Sequence, residues 1–201
     1  CPTGESGDFE KANFPIGVEG GKTSTCPTQN LMEAYDMKDG TPFVWNNQSN
    51  PYDNRDPRMK YTIVCNEMKW PVDPVEIWEG GTNGLPLQNA TTTGYYLKKY
   101  VNNTISFEAG STVTKKQHNW VLFRYGEILL NYAEAMINAF HDPNYKDAVY
   151  NMSAREAVNQ IRGRTNISLP GFPSDITEKD FVKRLKNERR VELAFEGHRF
   201  W

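Results

Sequence analysis

The sequence predicts a mainly helical fold, and three observations carry that prediction. From Trp120 to Trp201 the chain reads as three successive helices. Each of these sets charged residues into its apolar side, which requires a specific partner for every charge it buries. The part before them offers only two short strand signals, separated by turns and long loops.

Taken in order, residues 1–25 are rich in Gly, Ser and Thr with little periodicity and read as loop or a boundary. Pro27 and Thr28 open a short helix, TQNLMEAYDM, whose Leu31, Met32 and Tyr35 share a face, and Asp39-Gly40 ends it in a turn. Residues 41–60 hold the turn cluster NNQSNPYDNRDPR, where Asp56-Pro57 restrains the backbone and Arg55 and Arg58 can reach carboxylates. YTIVCNE reads as a strand and GYYLKKYV as a second one. Between them, residues 69–92 form a long loop. This divides the domain into a loop- and strand-rich part over 1–118 and a helical part over 119–201.

In the first long helix Leu122, Tyr125, Leu129, Tyr132, Met136 and Phe140 follow steps of three and four, one apolar face. Arg124, Glu127, Asn131, Glu134 and Asn138 form a thin polar seam beside it, and most of the remainder is apolar. Such a helix is expected to be wedged between neighbours. The second helix is AREAVNQIRGRTNIS. The third opens at a capping box, Thr177 with Asp180, and places Phe181, Leu185, Glu188, Glu192, Phe195 and Arg199 on one line. Glu188 and Glu192 thus stand at core positions four residues apart, where they repel unless cations intervene. We expect a structural ion-pair network of Arg124, Glu127, Glu188, Arg189, Arg190, Glu192 and Arg199, with Arg162 and Arg164 at hand, because the guanidinium fork suits paired carboxylates.

FRYGEILLNYAEA, AREAVNQIRGRTNI and ERRVELAFEGHRFW resemble successive motifs of the SusD/RagB family, surface glycan-binding lipoproteins of Gram-negative outer membranes. CPTQNLMEAYDMKDG, NPYDNRDPR and TTTGYYLKKYV resemble its middle motifs in the expected order, so the resemblance covers about Cys26 to Trp201. It implies a tetratricopeptide-like α-α superhelix with small β-hairpins and long loops. It also implies a non-enzymatic role, capturing an oligosaccharide or polysaccharide at the cell surface for a SusC-like TonB-dependent transporter. The family has more chain on both sides of this region, so the sequence is expected to be a fragment. Cys1 matches the first residue of a mature lipoprotein, but the resemblance places it mid-protein, and the lipid anchor is expected outside this piece.

The formal charge of −2 over 201 residues, with no basic stripe, argues against nucleic acid as a partner. No apolar run of about eighteen residues marks a membrane span. Cys1, Cys26 and Cys65 lack metal-ligand spacing, and a Cys1–Cys26 or Cys26–Cys65 disulfide stands beside free buried thiols as a reading. Glu188, Glu192 and Glu196 step by four, yet His198 is off the Glu-x-x-His spacing of a bundle metal site, so neither metal nor cofactor is expected. No nucleophile, zinc or phosphate-loop motif is present. Carboxylate pairs such as Glu76 with Glu79 or Asp73 would suit a glycosidase, but a chain with twenty-five acidic residues produces them by chance.

Sugars need aromatic faces for their C–H bonds and paired donors and acceptors for their hydroxyls. The candidate glycan contacts are therefore Trp70, Trp78, Asn83, Tyr95 and Trp45, the first three in the 69–92 loop among carboxylates and amides. Each ring has an ordinary alternative as core. Trp120 and Trp201 fall in helical core patterns. The competing function is a helical-repeat scaffold that binds protein instead of sugar, and the two differ in whether exposed aromatics stand isolated or form a broad apolar patch.

Overall fold

A computed structural model describes residues 7–46, 50–107 and 121–198; Cys1, His118, Trp120, Arg199 and Trp201 lie outside these. Two compact units emerge, one from Cys1–Met32 with Met59–Trp120, the other from Glu33–Arg58 with Val121–Trp201. The helices are α1 (Asp8–Asn13), α2 (Gln29–Ala34), α3 (Pro57–Thr62), α4 (Tyr125–Phe140), α5 (Ala154–Arg162) and α6 (Glu178–Glu192). The strands β1 (Ile63–Val64) and β2 (Tyr96–Leu97) pair antiparallel, Ile63 opposite Leu97 and Val64 opposite Tyr96.

The first unit differs from expectation in several places, one being that the strand expected over GYYLKKYV is confined to Tyr96–Leu97. Residues 8–13, expected as loop, form α1, which is too short for periodicity to register. It is fixed by Glu10, fully buried, whose Oε1 accepts the Asn102 N–H at 2.9 Å. The strand expected over YTIVCNE shrinks to two residues, because α3 runs to Thr62. Asp56 caps that helix by accepting the Arg58 N–H at 2.9 Å, and Pro57 fills the first helical position, where its missing N–H costs nothing. Cys26 and Cys65 are free thiols, so the Cys26–Cys65 bridge is not made.

In the second unit α4, α5 and α6 pack on one another. The core is built from Leu130, Ala133 and Ile137 of α4, Ala154, Ala157, Val158 and Ile161 of α5, Phe181 and Leu185 of α6, and Phe172 from the connection. Phe172 and Phe181 meet edge to face at 5.9 Å. α4 begins at Tyr125 rather than near residue 119, and it is not enclosed all round. Leu129 and Met136 of the expected face are buried, but Leu122 is 85% and Tyr125 68% exposed, as are Phe123 and Ile128 in large part. α6 opens on Thr177, whose Oγ1 accepts the Asp180 N–H at 3.1 Å. It stops at Glu192, and Phe195 turns the chain with φ 60°, so the helical line drawn onward to Phe195 does not continue.

The α5 start is a full capping box. Ser153 Oγ accepts the Glu156 N–H at 3.1 Å while Glu156 Oε2 accepts the Ser153 N–H at 2.8 Å. Ser153→Ala is expected to cost about 1 kcal/mol in denaturant unfolding; an unchanged midpoint would mean that water replaces the cap.

Candidate functional site

The glutamates of α6 anchor the second unit. Glu188, 3% exposed, accepts from Arg58 Nη1 and, at 2.7 Å, from Arg162 Nη1. Glu192 accepts from Arg58 at 2.9 Å, Arg124 at 2.6 Å and Arg164 at 2.8 Å. Glu196 takes Nε and Nη2 of the same Arg124 at 2.6 and 2.8 Å, a bidentate fork. Asp56 holds the other edge of Arg58, its Oδ2 2.7 Å from Nη2.

Burial alone would raise the Glu192 carboxyl. The Arg124 hydrogen bond and the Arg58 and Arg164 charges outweigh that and bring it to about 2. Burial is likewise the largest influence on Glu188, but Arg58 and Arg162 overturn it and hold its carboxyl below the ordinary range. Asp36 goes the other way, raised chiefly by burial despite Arg162 and Arg184.

Two further residues expected in this network, Glu127 and Arg189, also have partners outside it. Glu127 is buried with its carboxylate 3.6 Å from His198 Nε2. Arg189 bonds Asn131 and, at 3.2 Å, Glu134 on an exposed side. Arg190 lines a groove described below, and Arg199 lies outside the described residues.

The five candidate sugar contacts separate by exposure. Trp70 is 5% exposed and faces protein, with Lys98 Nζ 5.0 Å from its ring centroid. Tyr95 is buried and donates its hydroxyl to Gln29 Oε1 at 2.7 Å. Asn83 is buried too. Its Nδ2 donates to the Ile16 carbonyl at 2.6 Å, its Oδ1 accepts the Glu76 N–H at 2.9 Å, and its carbonyl accepts the Tyr96 hydroxyl. All three are buried, so no ring face or amide of theirs stands open to solvent. The Tyr95 hydroxyl and the Asn83 amide are spent on protein, and Trp70 is enclosed with its indole N–H unpartnered among the described residues.

Trp78, by contrast, is 48% exposed in the 69–92 loop. The loop is drawn tight there: Gly81 N–H donates to the Trp78 carbonyl at 2.9 Å and Gly80 N–H to the Leu85 carbonyl at 2.6 Å. A Cβ at Gly84 would stand 2.1 Å from the Trp78 carbonyl oxygen, and one at Gly81 2.4 Å from that of Glu76. Only glycine fits such approaches. Glu76 accepts the Thr82 N–H at 3.2 Å, so its carboxylate also serves the turn. Leu85 and Leu87 stand exposed in the same loop.

Trp45, in the second unit, is 53% exposed. Its Nε1 donates to Glu33 Oε1 at 2.7 Å, and its ring meets Phe43 edge-on at 5.1 Å. The Arg55 guanidinium sits 3.8 Å from the Phe43 centroid and donates to the Tyr35 and Pro51 carbonyls at 2.7 and 2.8 Å. The indole is therefore held in orientation while about half of it stays exposed.

The sequence matches the SusD family profile over residues 4–201. The chain belongs to the SusD family. A SusD-like protein of Bacteroides fragilis shares 26% identity and superposes with a TM-score of 0.76 over 98% of this chain and 41% of its own. A second B. fragilis structure, described as a SusD-like carbohydrate binding protein, gives the same identity and TM-score, over 98% of this chain and 38% of its own. SusD-like protein P38 of Formosa agariphila is 36% identical over 89 residues, 41% of this chain and 16% of the relative. This SusD family chain thus spans about two fifths of the solved relatives, and its helices adopt their mainly α, tetratricopeptide-like fold.

Sequence reasoning missed Arg58 and Asp56 as members of the network. Asp-Pro-Arg carried a signal, a helix cap followed by a first-turn proline, which places Arg58 on a helix instead of in a turn. Nothing local tied it to a glutamate 130 residues away.

Proposed function

We propose that this SusD family chain is the glycan-binding part of a surface protein of the outer membrane. It captures oligosaccharide for a SusC-like TonB-dependent transporter and does not cleave it. The observation that carries this reading is Trp78, a half-exposed indole on a loop drawn tight by its glycines and buried Asn83. A rigid exposed ring gives sugar C–H faces a stacking surface at little entropic cost, and such aromatics dominate binding energies. The B. fragilis relative described as carbohydrate binding supports the same class.

The experiment is a calorimetric screen of the whole protein against a polysaccharide panel, with reducing ends measured on the same samples. Saturable binding without new reducing ends is expected. New reducing ends would make the protein a glycosidase.

One observation favours a protein partner as well. Leu122, Phe123, Tyr125 and Ile128 expose a contiguous apolar stretch at the start of α4, the kind of patch that marks protein contact. It is the surface we assign to the transporter. Absence of binding to every glycan would favour the scaffold reading over capture.

A further inference from the structure

The second unit contains a groove of about 690 Å³ between α6 and the segment Glu33–Phe43, a volume in the range of small-ligand sites. Its framework is fixed. Asn187 Nδ2 of α6 donates to the Ala34 carbonyl at 2.7 Å, and Arg184 Nη2 donates to the Gly40 carbonyl at 3.0 Å. Lys183, Lys186 and Arg190 are spaced three and four apart on α6, so they share one side of the helix, and all three line the groove.

The charge of the lining is lopsided. Two lysines and three arginines face two carboxylates, Glu33 and Asp36, in a chain whose formal net charge is −2. Both carboxylates are already engaged: Asp36 lies 3.4 Å from Arg162 and 3.9 Å from Arg184, and Glu33 accepts the Trp45 indole N–H. Lys183 and Lys186 have no ion-pair partner among the described residues. Phe43, Phe172 and Leu193 give the groove apolar walls, which strengthen the field of its cations. Burial first, then the nearby Arg162 charge, push Arg184 below its ordinary range, and an anion beside it would offset both.

We propose that this groove takes an acidic saccharide, its carboxylate or sulfate ester set against Lys183 and Lys186 and a sugar face beside Phe43 and Trp45. The inference rests on the capture reading above and narrows it to anionic glycans. Trp45 is the natural stacking surface, because its indole N–H fixes it to Glu33, a groove-lining residue. Binding through exposed lysines also makes affinity fall as salt rises.

The test titrates the whole protein with galacturonate oligomers, sulfated galactan oligomers and neutral galactan oligomers at low and high salt. A K183Q/K186Q variant is measured beside the wild type; both side chains are exposed, so the variant keeps its melting temperature. An acidic oligomer is expected to bind at least tenfold tighter than the neutral one, and to lose at least tenfold in the variant. Whether the uronate or the sulfate prevails names the acid group. Acidic binding unchanged in the variant, or neutral oligomers bound as tightly as acidic ones, overturns the groove assignment while leaving capture intact. Binding of a polyglutamate peptide with the same lysine dependence, and of no saccharide, would assign the groove to an acidic protein segment and overturn the sugar. No binding to any glycan in the wider panel would remove the capture reading itself.

Discussion

Glu188→Ala is expected to lower unfolding stability by roughly 3–5 kcal/mol. The carboxylate is 3% exposed and bridges Arg58 and Arg162, which are 6% and 1% exposed. Arg58 would keep Asp56 and Glu192, but Arg162 would keep only the Pro170 carbonyl at 2.8 Å and Asp36 at 3.4 Å. A buried guanidinium cannot shed its proton, and water cannot reach it without opening the α5–α6 core, so the whole loss falls on stability. Urea unfolding of wild type and variant measures it. A loss below about 1 kcal/mol would mean that water or a neighbouring carboxylate replaces Glu188, and the network would not be a foundation of the fold.

Acid is expected to weaken the same unit steeply between about pH 4.5 and pH 2. The Glu192 carboxyl sits near 2 in the folded chain against an ordinary 4.5. A depressed carboxyl stabilises above its unfolded value and loses that contribution as pH falls toward its folded value. For Glu192 alone this is on the order of 3 kcal/mol, and Glu188, also depressed, adds in the same direction. Asp36, raised by burial, opposes it: protonating that carboxylate relieves a cost. Melting temperature followed from pH 6 to pH 2 checks the balance. A flat profile below pH 4.5 would mean that the carboxylates are not paired in solution.

The helices were legible because Leu129, Met136, Phe181 and Leu185 keep the 3.6-residue period through long segments. The burial of Glu188 and Glu192 was legible from their place on that period. Their partner Arg58 was not, since no local pattern reports a contact made across most of the chain. The Thr177–Asp180 cap was legible in its spacing, whereas the Ser153–Glu156 capping box, equally written in Ser-x-x-Glu, went unread. The site divided along similar lines. Trp70 and Trp78 lie in one loop amid the same amides and carboxylates, and composition does not separate them. Only the folded chain does, by enclosing Trp70 with Lys98 while the close approaches at Gly81 and Gly84 turn Trp78 outward. An amide such as that of Asn83 suits sugar hydroxyls and backbone groups alike, and in the folded chain it bonds the Ile16 carbonyl and the Glu76 N–H.

Glycan titration of the whole protein against its Trp78→Ala and Trp45→Ala variants, with melting temperatures on the same samples, tests the account most directly. Removing the Trp78 ring is expected to weaken binding by about tenfold or more while leaving the melting temperature nearly unchanged. Unchanged affinity in both variants would contradict a sugar surface built on the exposed tryptophans.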